Sequence, residues 1–76
     1  MPRLYQVSEL RSRHANEEHQ QGAYGWYKWT TIATPRRKQE AIDLVNAHPT
    51  RAVATLQFDS NKVADNAKPP ILDRSI

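Results

Sequence analysis

The stretch AYGWYKWTTIATPRRKQEAIDLVNAHPTRAVATLQF, residues 23–58, decides the fold, because its apolar pattern changes period twice. Residues 23–33 are aromatic and β-branched, which suits a pleated strand. Tyr24, Trp26, Thr30 and Ile32 alternate onto one face, and Tyr27, Trp29 and Ala33 onto the other, so both faces carry rings. Such a strand is either covered on both sides or leaves one aromatic set exposed. The alternative is a bulge at Gly25 that resets the phase. From Thr34 the period lengthens. Thr34 is a good capping residue, Pro35 suits the first helical position, and Ala41, Leu44, Val45 and His48 recur at i, i+3, i+4 and i+7, with Ile42 widening the stripe. This spacing predicts a helix over 35–48 that stops at Pro49 and places His48 at its C-terminal cap. Alternation returns over 51–58, with Ala52, Ala54, Leu56 and Phe58 on one face and Val53 and Thr55 on the other. The order is strand, helix, strand. Its two outer strands belong to one sheet beneath the helix without having to pair directly.

On the N-terminal side, residues 3–10 (RLYQVSEL) alternate Tyr5 and Val7 with polar neighbours, as a short half-buried strand does. The following RSRHANEEHQQG has almost no apolar residue and reads as a long loop ending at Gly22. On the C-terminal side, residues 59–76 are polar, rich in turn formers and interrupted by Pro69 and Pro70. They read as an irregular, partly disordered tail in which Val63 or Ile71 and Leu72 could anchor to the body. The expected fold is therefore small α+β: a single-layer sheet of about three strands in β-β-α-β order, packed on one helix. Residues 1–58 form the domain and residues 59–76 the tail.

Composition narrows the function classes. A chain of 76 residues with 38% hydrophobic content, two Trp, three Tyr and one Phe holds material for one small core. With no cysteine, neither disulfides nor cysteine-ligated metals arise, which fits a reducing compartment. No apolar run is long enough to span a bilayer, and MPRLYQVSEL lacks the apolar core of a signal peptide, so the expectation is a cytoplasmic protein without a membrane partner. Eleven basic residues against eight acidic ones give a net charge of +3, a weak general bias toward anionic partners.

The distribution of that charge says more. Arg36, Arg37 and Lys38 crowd the expected first helical turn, where the macrodipole is already positive. Cations there oppose helix formation but join the free backbone N–H groups in attracting an anion. The bland alternative is three solvated side chains offset by Glu40. The second candidate is YGWYKW, residues 24–29, where Tyr24, Trp26, Tyr27 and Trp29 interleave with Lys28. Rings with a cation on a strand stack nucleic-acid bases, or form the centre of a protein interface, or simply build a core. The third, HANEEH, sets His14 and His19 five apart, a spacing that diverges on a helix and does not make a metal site. Catalysis has no nucleophilic cysteine, phosphate loop or convergent carboxylate pair to rest on.

These residues imply a small non-enzymatic module without cofactor or metal. It would engage an acidic protein surface through the basic helix start and the aromatic strand, as an accessory or inhibitor similar in size and style to small phage and mobile-element proteins. The alternative is a nucleic-acid-binding module that holds phosphates with Arg36, Arg37 and Lys38 and stacks bases on Trp26 or Trp29. The strand edges and surplus rings also suggest a homodimer whose sheet continues across a two-fold axis.

Overall fold

A computed structural model describes residues 4–13, 26–59 and 61–73. Among them the fold is α+β, one helix on an antiparallel sheet of four strands to which a fifth, two-residue strand adds. The elements in chain order are β1 (Tyr5–Ser12), β2 (Tyr27–Ala33), α1 (Lys38–Ala47), β3 (Ala52–Leu56), β4 (Lys62–Asp65) and β5 (Ile71–Leu72).

β1 is the central strand. It pairs antiparallel with β2 on one side, matching Leu10 to Trp29 and Arg11 to Lys28, and with β3 on the other, matching Val7 to Ala54. β2 and β3 therefore flank β1 instead of pairing with each other, which gives the spatial order β2-β1-β3-β4. β5 pairs in parallel with Arg11 and Ser12, beyond the end of β3. These partners carry β1 through Arg11 and Ser12, two residues that the polar composition had assigned to a loop. Residues 14–25, which hold the rest of that loop and the start of the expected strand with Tyr24 and Gly25, lie outside the described residues.

Two further expectations are corrected. The sheet has more than three strands, because the segment after Asp59 is not simply irregular. Val63 and Ala64 of β4 pack against the core, and Ile71 and Leu72 form β5. Short strands flanked by Asn, Asp and Pro carry little apolar signal, and their pairing partners are distant in the chain. Phe58 does not continue β3: Gln57 and Phe58 turn, with Asp59 N–H donating to Leu56 C=O at 3.0 Å, and the ring is 97% exposed. The described part of β2 has a bulge at Ile32, since Val7 matches Ala33 and Ser8 matches Thr31, while Gly25 lies outside the described residues. That bulge turns Ala33 away from Tyr27 and Trp29, and it packs against the core under the helix.

The core is built from small side chains. Val7, Ala52 and Ala54 of the sheet meet Ala41 and Val45 of α1, all at 0% exposure, with Tyr5, Ala33, Val63 and Ala64 around them. Alanine on both layers lets the helix lie close to the sheet. Only Ala41 and Val45 of the expected stripe are buried; Ile42 is intermediate and Leu44 is 40% exposed, because the helix is short and touches the sheet along one narrow line. The opposite sheet face carries its own small cluster. There Leu10 is 1% exposed in register with Trp29, and Arg51 lies over the Trp29 ring at 5.7 Å from its centroid. No helix among the described residues is long and apolar enough to cross a membrane.

Candidate interaction surface

The start of α1 differs from its expected form. The N-cap is Arg37, in extended conformation (φ −112°, ψ 139°), and the helix begins at Lys38, not at Pro35 with Thr34 as its cap. The reason lies in β1. Tyr5 N–H donates to Pro35 C=O at 2.8 Å, so the chain keeps its strand-like pairing past Ala33 and cannot coil until Arg36. Pro35 is buried by that docking. Arg36, Arg37 and Lys38 follow in three successive exposed positions. Among the described residues no side chain caps the first turn, and Glu40 is its one acidic residue. A cluster of three cations thus stands at the positive end of a helix whose first N–H groups have no side-chain acceptor.

The other end of α1 is built differently. Asn66 uses all four side-chain hydrogen-bonding positions: Nδ2 donates to Val45 C=O (2.9 Å) and Thr50 C=O (2.8 Å), while Oδ1 accepts from Ala52 N–H and Lys68 N–H, both at 3.1 Å. Lys68 Nζ donates to His48 C=O at 2.6 Å and to Asn46 C=O at 3.4 Å. His48 is the C-cap. Thr50 N–H donates to its Nδ1, which leaves Nε2–H facing Glu9 Oε2 at 3.4 Å. The terminal carbonyls of α1 are therefore met by backbone, amide and ammonium donors.

Next to this corner, Arg51 forks onto Asp65, with Nε to Oδ1 and Nη2 to Oδ2 both at 2.8 Å. Partial burial pushes the Asp65 carboxyl upward. The hydrogen bond from Arg51, the Ala67 N–H, the Lys62 ammonium and the Arg51 charge outweigh it and hold the carboxyl at about 2, below its ordinary 3.8. The Ala67 N–H bond (2.9 Å) also steadies a left-handed backbone at Ala67, φ 54°.

The aromatic strand is divided between two faces and one edge. Tyr27 and Trp29 are half-buried on the face away from α1, Trp29 beneath Arg51. Lys28 is exposed on the helix side, matched to Arg11, and with Trp26, Thr30 and Asp73 these line an open groove of about 320 Å³. The Trp26 indole N–H is buried with no hydrogen-bond partner among the described residues. Tyr24 lies outside them. Lys28 and Arg36 lie eight residues apart on a chain that stays extended through Pro35, roughly 26 Å at about 3.3 Å per residue, so the structure does not gather them into one patch. What joins them is the outer edge of β2, along which no described strand pairs.

Sequence reasoning missed Arg51, which covers Trp29 and fixes Asp65, and Arg11, which lies beside Lys28 and 3.5 Å from Glu9. Strand alternation carried a signal for Arg11, since it shares the odd-numbered face of β1 with Glu9. Arg51 needed the β1–β3 pairing to be known. His14 and His19 lie outside the described residues, and among those described no three His, Cys, Asp or Glu side chains gather as metal ligands. No family model, characterised protein or solved structure matches the chain.

Proposed function

We propose that this protein is a small non-enzymatic binding module that docks an acidic polypeptide along the outer edge of β2. The single observation that carries the reading is the continuity of that edge, from Tyr27 to Ala33, with the uncapped turn of Arg36, Arg37 and Lys38. An extended partner segment would add a strand through main-chain hydrogen bonds, and its carboxylates would meet the guanidinium groups and free N–H donors at the helix start. The half-buried setting of Trp26 and Trp29 favours this over nucleic acid. Trp29 already has Arg51 over one face and so offers less of a stacking platform.

The test is fluorescence anisotropy with a labelled peptide of alternating Val and Glu, its Val–Lys counterpart, and single-stranded DNA and RNA of similar contour length, between about 50 and 300 mM salt. The acidic peptide should bind best, and more weakly as salt rises. Arg36→Ala with Arg37→Ala should weaken it by about three- to tenfold without loss of stability. Equal binding of both peptides would overturn the reading. Tighter binding of single strands, with a tryptophan emission change and a steep salt slope, would replace it with the nucleic-acid alternative.

A further inference from the structure

Among the described residues β2 and β4 are the two edges of the main sheet, and they differ in how they are guarded. β4 is four residues long, is bulged where it meets Ala54 and Thr55, and carries Lys62 and Asp65. These are the usual devices that stop one sheet from extending into another. β2 has seven residues, no proline, one charge, and a bulge only beyond Thr31.

Its hydrogen-bonding direction can be read from its ends. Arg13 N–H donates to Trp26 C=O at 3.2 Å and Tyr5 N–H to Pro35 C=O at 2.8 Å. Antiparallel alternation then directs the polar backbone groups of Trp26, Lys28 and Thr30 toward β1, and those of Tyr27, Trp29 and Thr31 outward. The outward set is symmetric about Trp29.

We infer that in the free protein β2 pairs antiparallel with β2 of a second copy of this chain, centred on Trp29, and that this pairing occupies the edge which the acidic partner must take. The inference rests on the proposed function and adds a regulatory step to it. In this register Trp29 lies opposite its own counterpart, Tyr27 opposite Thr31 and Lys28 opposite Thr30, so all three outward residues exchange both backbone bonds. Aromatic and aromatic–β-branched pairs are the favourable cross-strand combinations, and no like charges stand opposite each other. Centring on Thr30 instead would set Tyr27 opposite Ala33, whose backbone groups face β1 after the bulge, and would leave Tyr27 unpaired. The two-fold axis is normal to the sheet, so both helices lie on one face, with the two cationic turns at opposite corners.

Sedimentation equilibrium on the full chain, from about 1 μM to 1 mM, tests this. The apparent mass should rise from 8.8 kDa toward twice that value. Thr30→Lys places a second cation opposite Lys28 at both symmetric positions and should weaken the dimer by about two- to thirtyfold, whereas Thr30→Glu should tighten it. Thr31→Pro removes an outward N–H while sparing the β1 ladder and should abolish the dimer, with far-UV circular dichroism reporting that the fold is kept. Saturating Val–Glu peptide should return the wild type to monomer.

A monomer at every concentration that still binds the peptide overturns self-pairing and leaves the proposed function standing. A dimer that takes up no peptide at any concentration, with the dissociated Thr30→Lys variant, which keeps every outward backbone group of β2, also failing to bind it, overturns the proposed function and leaves the dimer. Equal effects of Thr30→Lys and Thr30→Glu overturn the register. The tightening expected of Thr30→Glu keeps the test decisive should Thr31→Pro fail to fold.

Discussion

The two ends of α1 receive opposite treatment from the rest of the chain. At the C-terminus, the His48 N–H meets the Val45 carbonyl, and Asn66 and Lys68 add donors to the last carbonyls from a segment about twenty residues away. At the N-terminus no side chain among the described residues caps the first N–H groups, and Arg36, Arg37 and Lys38 add positive charge where the macrodipole disfavours it. A ten-residue helix is too short to be stable alone, so its stability comes from Ala41, Val45 and the C-terminal network. The N-terminal turn contributes little to stability and is free to carry charge toward a partner.

The sharpest way to break this contrast is Asn66→Ala. It strands the Thr50 carbonyl and the Ala52 and Lys68 N–H groups in a partly buried corner and leaves the Val45 carbonyl with the His48 N–H alone. Unmet groups of this kind cost more than the net value of a hydrogen bond, so a loss of about 2–4 kcal/mol is expected in urea denaturation. For a chain this small that is a large share of the total. A loss below about 1 kcal/mol would show that water replaces the amide at little cost, and the two helix ends would then be energetically alike.

Asp65→Asn is the next largest. The carboxyl is held at about 2 against an ordinary 3.8, a shift that corresponds to a little over 2 kcal/mol before solvent screening. The pair is partly exposed, so about 1–1.5 kcal/mol is expected at pH 7. A depressed carboxylate stabilises the fold above its ordinary value, and that contribution is lost as pH falls from about 4 to about 2. The gap between wild type and Asp65→Asn in thermal melts should therefore be constant from pH 7 to 5 and close toward pH 2. A gap that persists at pH 2 would assign the effect to the Ala67 turn and not to the ion pair with Arg51.

Much of this architecture was legible in the sequence. The strand–helix–strand core could be read because Val7, Ala41, Val45, Ala52 and Ala54 recur at strand and helix periods that burial enforces. The C-terminal half of the contrast could not. Asn66 and Lys68 sit among Asp, Asn, Ala and Pro, where local composition speaks for a loop, and their value arises only when β4 lies beside β3. The helix start was misplaced by three residues for a related reason. Thr34 and Pro35 have the right chemistry to begin a helix, but the Tyr5–Pro35 hydrogen bond keeps them extended. In the candidate site, the cationic cluster was visible as a run of charges. The edge of β2 was not, because which strand is outermost is a property of the sheet order.

The smallest expected effect sharpens the other half of the comparison. Arg37 occupies the N-cap position with extended backbone angles that Ser, Asp or Asn would also adopt. Arg37→Ser supplies a hydroxyl to accept from the first-turn N–H groups and removes one cation from the positive end of the dipole. Both changes favour folding, and together they should raise stability by about 0.5–1 kcal/mol, read as a rise in urea midpoint with unchanged m-value. The same variant should bind the Val–Glu peptide more weakly, because the positive charge at this position is gone. Arg37→Lys should retain most of the binding and gain no stability. Stability and binding moving in opposite directions in Arg37→Ser, but not in Arg37→Lys, is what a turn carrying charge for a partner requires. If Arg37→Ser loses stability instead, the guanidinium contributes to packing at the helix start, and the cationic turn belongs to the fold in the same sense as Asn66 does.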